Sequence, residues 1–352
     1  MKQPTFSICI PNYNYEGFVG KTIESVLAQT YPHFEIIVVD NSSTDKSFEV
    51  ASSYNDPRVR VYRNNYNIGF APNLQIATSY ARNDFINLLS SDDIMKPNAL
   101  EVYAKIIHDN EEHFDSLILA SDNEVIDGNN KITGFRYFDQ TNAKAYWSYD
   151  GEYERYLKTL RSNQGIYNGI DLLKLLAPEL NTLAGFLSIV YSRKLWDKVG
   201  GYNAVRSIGP DKYFNYKLLL QQPHVIYVNQ PLYSYRFHQS SNIKAYYSTI
   251  KQQVDDYLNV LEFADLFQDQ LGIDKEQLIR NYLKRFCFAF SLSGIKRGRF
   301  KSAVKAFFFA LASFPETAIK LRMFYINILA LLFSPAVAMY FWAFSLFKKH
   351  DK

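Results

Sequence analysis

Residues 6–14 read FSICIPNYN, residues 34–45 read FEIIVVDNSSTD and residues 85–93 read FINLLSSDD. Each is a short apolar run, about the length of a strand buried on both faces, that closes on a polar cluster. In open α/β sheets ligands bind outside the carboxyl ends of the strands. Three such runs, each ending in Asn, Ser or Asp, therefore predict three polar clusters converging on one crevice at one edge of a sheet.

Reading outward, the runs alternate with amphipathic stretches. Helical spacing is expected over residues 18–29, after Thr44, over 70–82 and over 97–109, with further strands at 59–62 and 116–120. Repetition of strand and helix predicts a Rossmann-like, mostly parallel sheet with helices on both faces. The rhythm blurs between about 128 and 181, where aromatic residues crowd an aperiodic stretch. It returns as a strand at 186–191, a helix at 192–199, the Gly200-Gly201 turn, a helix at 211–221 and a strand at 225–228. Beyond about Lys244 the pattern is helical throughout. The expected division is a catalytic domain over 1–243 and a helical C-terminal region over 244–352.

Composition narrows the classes. The chain has 352 residues, 47% apolar and 21% charged, which excludes wholesale disorder. A formal net charge of +4, read as evenly spread, argues against a nucleic-acid partner. Two cysteines, Cys9 and Cys287, make neither a disulfide framework nor a zinc cluster, so a reducing compartment is expected. Polar residues interrupt the N-terminal apolar run after Ile10, so secretion is not expected. Aromatics are abundant, with 27 Tyr and 27 Phe. Many lie in the tail, where 324–347 is uncharged and flanked by Lys320, Arg322, Lys348 and Lys349, with Pro335 in its middle. With the preceding amphipathic, basic stretch 300–314, where Lys301 and Lys305 lie beside Phe307-Phe308-Phe309, that pattern predicts a tail that crosses or lies in an anionic membrane surface, the alternative being a pair of helices buried against the catalytic domain. Others, Tyr137, Tyr146, Trp147 and Tyr149, fall where they could stack on an acceptor sugar or pack an irregular layer on the sheet.

Gly20-Lys21-Thr22 after a strand, with an acid-tipped strand at 36–40, imitates a P-loop. The phosphate cradle needs a glycine five residues before Gly20, and that position is Tyr15. The polar clusters also have plain structural explanations one by one: Thr44, Asp45, Asp93 or Asp211 as helix caps, Asn12 and Asn14 as turn formers. Their coincidence points to a site.

Six ordered blocks carry a resemblance: Ile10 to Asn14, Glu35 to Asp45, Asn67-Ile68-Gly69 with Asn73, Leu88 to Asp93, Gly200-Gly201-Tyr202 ahead of Asp211, and Tyr235-Arg236-Phe237-His238. Over about residues 5–242 the chain resembles the family-2 glycosyltransferases, inverting enzymes of the GT-A fold. The resemblance implies transfer of a sugar from a nucleotide-diphosphate donor, by default a UDP-sugar. Pro11, Tyr13, Asn14 and Asp40 would shape the nucleotide pocket, Tyr13 stacking on the base. Ser91 and Asp92 would lie at the donor, with Asp92 and His238 holding Mn2+ or Mg2+. Arg236 and His238 would approach the diphosphate, and Asp211 would be the general base that deprotonates the acceptor hydroxyl. Two positions depart from the family: Ser90 stands where a first acid is usual, and Pro210 where a second acid usually precedes the base.

The expectation is thus a cytoplasmic enzyme, associated with the inner face of the cell membrane, that extends a saccharide or polyprenyl-linked acceptor in surface-polysaccharide synthesis. Two rivals remain at this point, a non-catalytic sugar-nucleotide-binding protein and a P-loop NTPase.

Overall fold

The computed structural model describes residues 3–136, 165–183, 186–202, 210–237 and 249–333. The chain divides into two compact units, one formed by 1–176 with 181–241 and the other by 177–180 with 242–352.

The first unit opens with β1 (Phe6–Asn12), α1 (Val19–Leu27), β2 (Phe34–Asp40), α2 (Ser47–Ser52), β3 (Val59–Arg63), α3 (Phe70–Ser79) and β4 (Phe85–Leu88). These strands lie parallel in the order β3-β2-β1-β4. Phe6, Ile8, Ile10, Ile36 and Val38 face a core shared with Val19, Ile23 and Val26 of α1. α3 packs on β1 and β2. Helices on both faces explain why β1 and β2 are apolar at nearly every position.

Next come β5 (Ile94–Met95), α4 (Ala99–Asp109), β6 (Leu117–Ile126), β7 (Ile132–Arg136), β8 (Ile166–Asn168), α5 (Gly169–Leu176), β9 (Ile189–Ser192), α6 (Arg193–Val199), α7 (Pro210–Leu219) and β10 (His224–Arg236). Here the sheet is mixed. β9 runs antiparallel between β4 and β6, β6 and β10 are parallel, and β5, β7 and β8 pair antiparallel at their neighbours.

Two strands outrun their sequence signal. β6 continues through Ser121, Asp122, Asn123 and Glu124, all buried. β10 spans 13 residues, and its pairing with β6 slips on either side of Pro231, which lets the strand pass a residue with no amide hydrogen.

Ser192 caps α6 by accepting from Leu195 N, and Gly200 ends it in a left-handed conformation. Gly201 follows with φ 74°, and a Cβ there would come within 2.7 Å of the Trp196 ring and closer still to Gln75. The turn therefore requires glycine on two counts, backbone angle and space.

The second unit contains α8 (Lys251–Leu271), α9 (Lys275–Tyr282), a π-helical stretch Leu283–Phe288, α10 (Ala289–Lys296), α11 (Phe300–Ser313), α12 (Pro315–Lys320) and a last helix, α13, over 322–333. No strand occurs in it among the described residues. Among those residues no helix is long and apolar enough to cross a membrane. The later part of the apolar segment 324–347 lies outside the described residues, as do Tyr137, Tyr146, Trp147 and Tyr149.

Candidate functional site

β1 lies between β2 and β4, and Asn12 pairs in register with Asp40. The three carboxyl-terminal ends are therefore neighbours along one edge. Asn14 and Ser42 both take φ near 60°, which bends the chain sharply after β1 and after β2.

Side chains lace these two loops together. Asp40 is fully buried and accepts from Ser43 N at 2.9 Å through Oδ1, while its Oδ2 faces Asn12 Nδ2 at 3.4 Å. Ser43 Oγ accepts from Asn14 N at 2.9 Å, and Asn14 Oδ1 accepts from Thr44 N at 2.8 Å. Arg63 stands 3.9 Å from Asp40. Asp45 does not cap a helix alone. It accepts from Ser47 N and from Glu16 N, tying the start of α2 to the loop after β1. Tyr13, at the crest of this loop, is 39% exposed, so its ring face is open to a stacking partner. Pro11 is half-buried and Asn14 exposed beside it.

An asparagine web supports the other side. Asn41 Nδ2 donates to Asn67 Oδ1 and to Gly69 O, and its Oδ1 accepts from Asn64 Nδ2 and Ile68 N. Asn73 Nδ2 reaches Val39 O at 3.1 Å. The Asn67-Ile68-Gly69 block and Asn73 thus brace β2 against α3.

The turn after β4 carries the acids. Ser91, Asp92 and Asp93 are buried. Asp93 Oδ1 accepts from Arg236 N at 2.7 Å, and its Oδ2 meets no hydrogen-bond partner among the described residues. Burial, then the neighbouring Asp92 charge, push the Asp93 carboxyl well above the usual carboxylate range. Arg236 is 1% exposed. Its Nε donates to Asp92 O at 2.6 Å and its Nη1 to Asp127 O at 2.9 Å, with the guanidinium 5.2 Å from the centre of the Phe18 ring. Arg236 thus binds the backbone of the acid turn through Nε and Nη1, and Nη2 has no hydrogen-bond partner among the described residues.

Two residues that the motifs did not single out belong here. Tyr15 lies close enough to Asp92 and Asp93 that their charges, after burial, raise its hydroxyl pKa. Thr22 Oγ1 donates to Asp93 O at 2.8 Å. Gly20-Lys21-Thr22 therefore sits inside α1, holding the acid turn rather than cradling phosphate. Only the Asn-Tyr-Asn-Tyr run before α1 hinted at Tyr15.

Asp211 stands in the first turn of α7, half-buried, directly after Pro210, the first helical residue. Proline is favoured there because its missing N–H has no helical partner anyway. That accounts for the lost second acid by local structure. Asp211 also bears on Tyr202, whose hydroxyl pKa burial raises first and the Asp211 charge raises further. His238 lies outside the described residues.

A divalent cation fits this corner. Asp92 would supply one carboxylate, while Asp93, fully buried and bonded to Arg236 N, stands behind it as a support. Among the described residues no three His, Cys, Asp or Glu form a complete metal cage. Mg2+ and Mn2+ commonly take one or two carboxylates plus substrate phosphates and water, so a full cage is not required.

Residues 7–169 match Glycosyl transferase family 2. The chain is 35% identical over 128 residues to the UDP-Glc:alpha-D-GlcNAc-diphosphoundecaprenol beta-1,3-glucosyltransferase WfgD of Escherichia coli, covering 36% of this chain and 49% of that protein. It is 23% identical over 242 residues to glycosyltransferase GlyA of Streptococcus pneumoniae, covering 67% of this chain and 31% of that protein. The chain thus spans less than half the length of either relative. Among solved structures, S. aureus TarS 1-349 superposes with a TM-score of 0.60 at 18% identity, covering 89% of this chain and 80% of that one, a likeness of fold.

Proposed function

We propose that this protein, whose residues 7–169 match Glycosyl transferase family 2, transfers a sugar, with inversion, from a UDP-sugar to a saccharide or polyprenyl-linked acceptor. The observation that carries the reading is the adjacency of β2, β1 and β4, which brings Asp40, Tyr13 and Asp92 to one edge. The similarity to WfgD, which uses a UDP-Glc donor and a diphosphoundecaprenol acceptor, supports both choices.

Tyr13 stacks on the base, while Asp40, held rigid by Ser43 N, accepts from the base or ribose, with Pro11 and Asn14 as the pocket wall. Ser91 and Asp92 face the diphosphate side of the donor. Asp92 would hold Mg2+ or Mn2+, which supplies positive charge to the departing nucleoside diphosphate. Arg236 fixes the backbone of that acid turn and adds one cationic charge behind it. Asp211 accepts the proton of the acceptor hydroxyl as that oxygen attacks the anomeric carbon from the face opposite the diphosphate.

The role proposed for the whole chain is surface-polysaccharide synthesis at the inner face of the cell membrane, where polyprenyl-linked acceptors reside. The test is UDP release from UDP-glucose and UDP-N-acetylglucosamine with Mn2+ present, with and without a polyprenyl-diphosphate sugar. Release that requires neither Asp211 nor Asp92 would refute the assignment.

A further inference from the structure

The last two long helices of the second unit expose what globular helices usually bury. In α13 the exposed positions are Arg322, Tyr325, Ile326, Leu329, Leu332 and Phe333, spaced as one helical stripe. Leu329 is 55% exposed, Leu332 68% and Phe333 64%. The opposite side carries Asn327, fully buried, whose Nδ2 donates to Met323 O at 2.8 Å and Phe288 O at 3.3 Å. The helix thus buries an amide and presents its leucines outward, the reverse of the usual pattern.

α11 buries an apolar side in the ordinary way but also exposes Val304 and Phe308. Its buried side is Ala303, Ala306, Phe307 and Ala310, and its exposed stripe is Lys301, Val304, Lys305, Phe308 and Ala312. A ladder of four rings joins the two stripes: Phe308 to Phe307 at 5.6 Å, Phe307 to Phe324 at 5.6 Å and Phe324 to Tyr325 at 5.1 Å between ring centres. Phe308 and Tyr325, its two ends, are 60% and 57% exposed. The ladder runs from one exposed stripe to the other through Phe307, which is buried, and Phe324, which is half-buried.

Charge identifies what covers it. Of residues 277–333, ten are Lys or Arg and one, Glu316, is acidic, whereas the whole chain has a net charge of only +4. The positive charge is concentrated here rather than spread evenly. Lys301 and Lys305 lie on the same stripe as Phe308, and Arg322 heads the stripe of Leu329. An apolar face with cations on its own helical stripes is the chemistry of a helix pair lying in the headgroup region of an anionic bilayer, its rings toward the acyl chains and its lysine stems reaching back to the phosphates. A nucleic acid would use the charge and leave the leucines in water.

We propose that the face formed by α11 and α13 is the surface by which this protein lies flat on anionic phospholipid. The proposal rests on the membrane location put forward above and names the residues and the lipid charge that would carry it. It does not depend on the donor chemistry.

The test is flotation of the full chain with vesicles of phosphatidylcholine alone or mixed with phosphatidylglycerol, read beside UDP release in vesicle-free solution. The wild-type chain is expected to float with the mixed vesicles and to be released by salt. Replacing Leu329→Asp with Phe333→Asp should lower partitioning at least tenfold, and Lys301→Gln with Lys305→Gln by about fivefold for each cation removed. All four positions are exposed, so circular dichroism and UDP release should match wild type. Variant chains that float as wild type does would overturn the proposal. So would a wild-type chain that stays unbound, as it would if residues 334–352 covered the face, or a wild-type dimer that the Leu329→Asp, Phe333→Asp pair converts to monomer without any vesicle binding. Loss of flotation with UDP release intact leaves the transferase reading standing, and the converse leaves the docking face standing.

Discussion

Replacing Arg236 by methionine keeps most of the side-chain volume and removes the guanidinium from the acid turn. Two charge-assisted bonds disappear, from Nε to Asp92 O and from Nη1 to Asp127 O. Bonds to charged groups contribute about 1.5–3 kcal/mol each. Both acceptors are left beside Asp93, which is fully buried. Against this, the variant no longer desolvates a cation whose Nη2 is already without a partner. Breaking one side of a buried charged cluster typically costs about 3–5 kcal/mol, and the net loss here should fall in that range. Urea unfolding followed by tryptophan fluorescence measures it directly. The same change loosens the turn that carries Asp92, so affinity for UDP with Mn2+, by calorimetry, should fall at least tenfold, equivalent to about 1.4 kcal/mol. Arg236→Lys keeps the charge and loses the fork, and should lie between the two. If Arg236→Met unfolds at the wild-type midpoint and binds UDP as tightly, the arginine does not hold the acid turn.

Three further outcomes follow from the same geometry. Asp92→Asn should reduce UDP-sugar turnover by at least a hundredfold and abolish its response to added Mn2+, measured by UDP release across a metal titration; an unaltered metal response would remove Asp92 as a ligand. Gly201→Ala should lower stability by about 1–3 kcal/mol in urea, because the left-handed backbone and the contacts with Gln75 and Trp196 both oppose a methyl group. His224, whose ring stacks on His113 at 3.6 Å, has its pKa lowered by burial first and by His113 second. The unfolded chain therefore binds the proton more readily. The contribution to stability is complete above the ordinary histidine value of about 6.5 and is lost as pH falls through it toward the folded value. The melting temperature should drop on acidification through that window and drop less in His224→Gln.

The parallel half of the sheet was legible in the sequence because β1, β2 and β4 are covered on both sides, which leaves apolar runs bounded by polar ends. β6 and β10 were not. Ser121 to Glu124 reads as a loop, yet these polar side chains are inside: Ser121 meets Tyr103, Asp122 meets Tyr227, and Glu124 meets Lys96 and Ser234. Pairing with distant residues holds Ser121, Asp122 and Glu124, and no local pattern records that. Asn229-Gln230-Pro231 likewise suggested the end of a strand that in fact slips register and continues to Arg236. The motifs named the residues proposed for the nucleotide side, but not the supports, because Thr22 and Tyr15 reach the acid turn only through the packing of α1 and its preceding loop. The motif likewise named Arg236 without the bonds to Asp92 O and Asp127 O that its fold position brings. The even spread of charge read from the net value of +4 was a property of the sum, and the basic stretch 277–333 corrects it.

The central claim is that Asp40, Asp92 and Asp211 act on one bound UDP-sugar. Single-turnover UDP release from a UDP-sugar bound to the full chain with Mn2+ tests it most directly, with wild type compared with Asp211→Asn, Asp92→Asn and Lys21→Ala. The account predicts that Asp211→Asn still binds the donor but no longer releases UDP to the acceptor, that Asp92→Asn fails in both, and that Lys21→Ala behaves as wild type. Loss of nucleotide binding in Lys21→Ala, with release retained in Asp211→Asn, would contradict it.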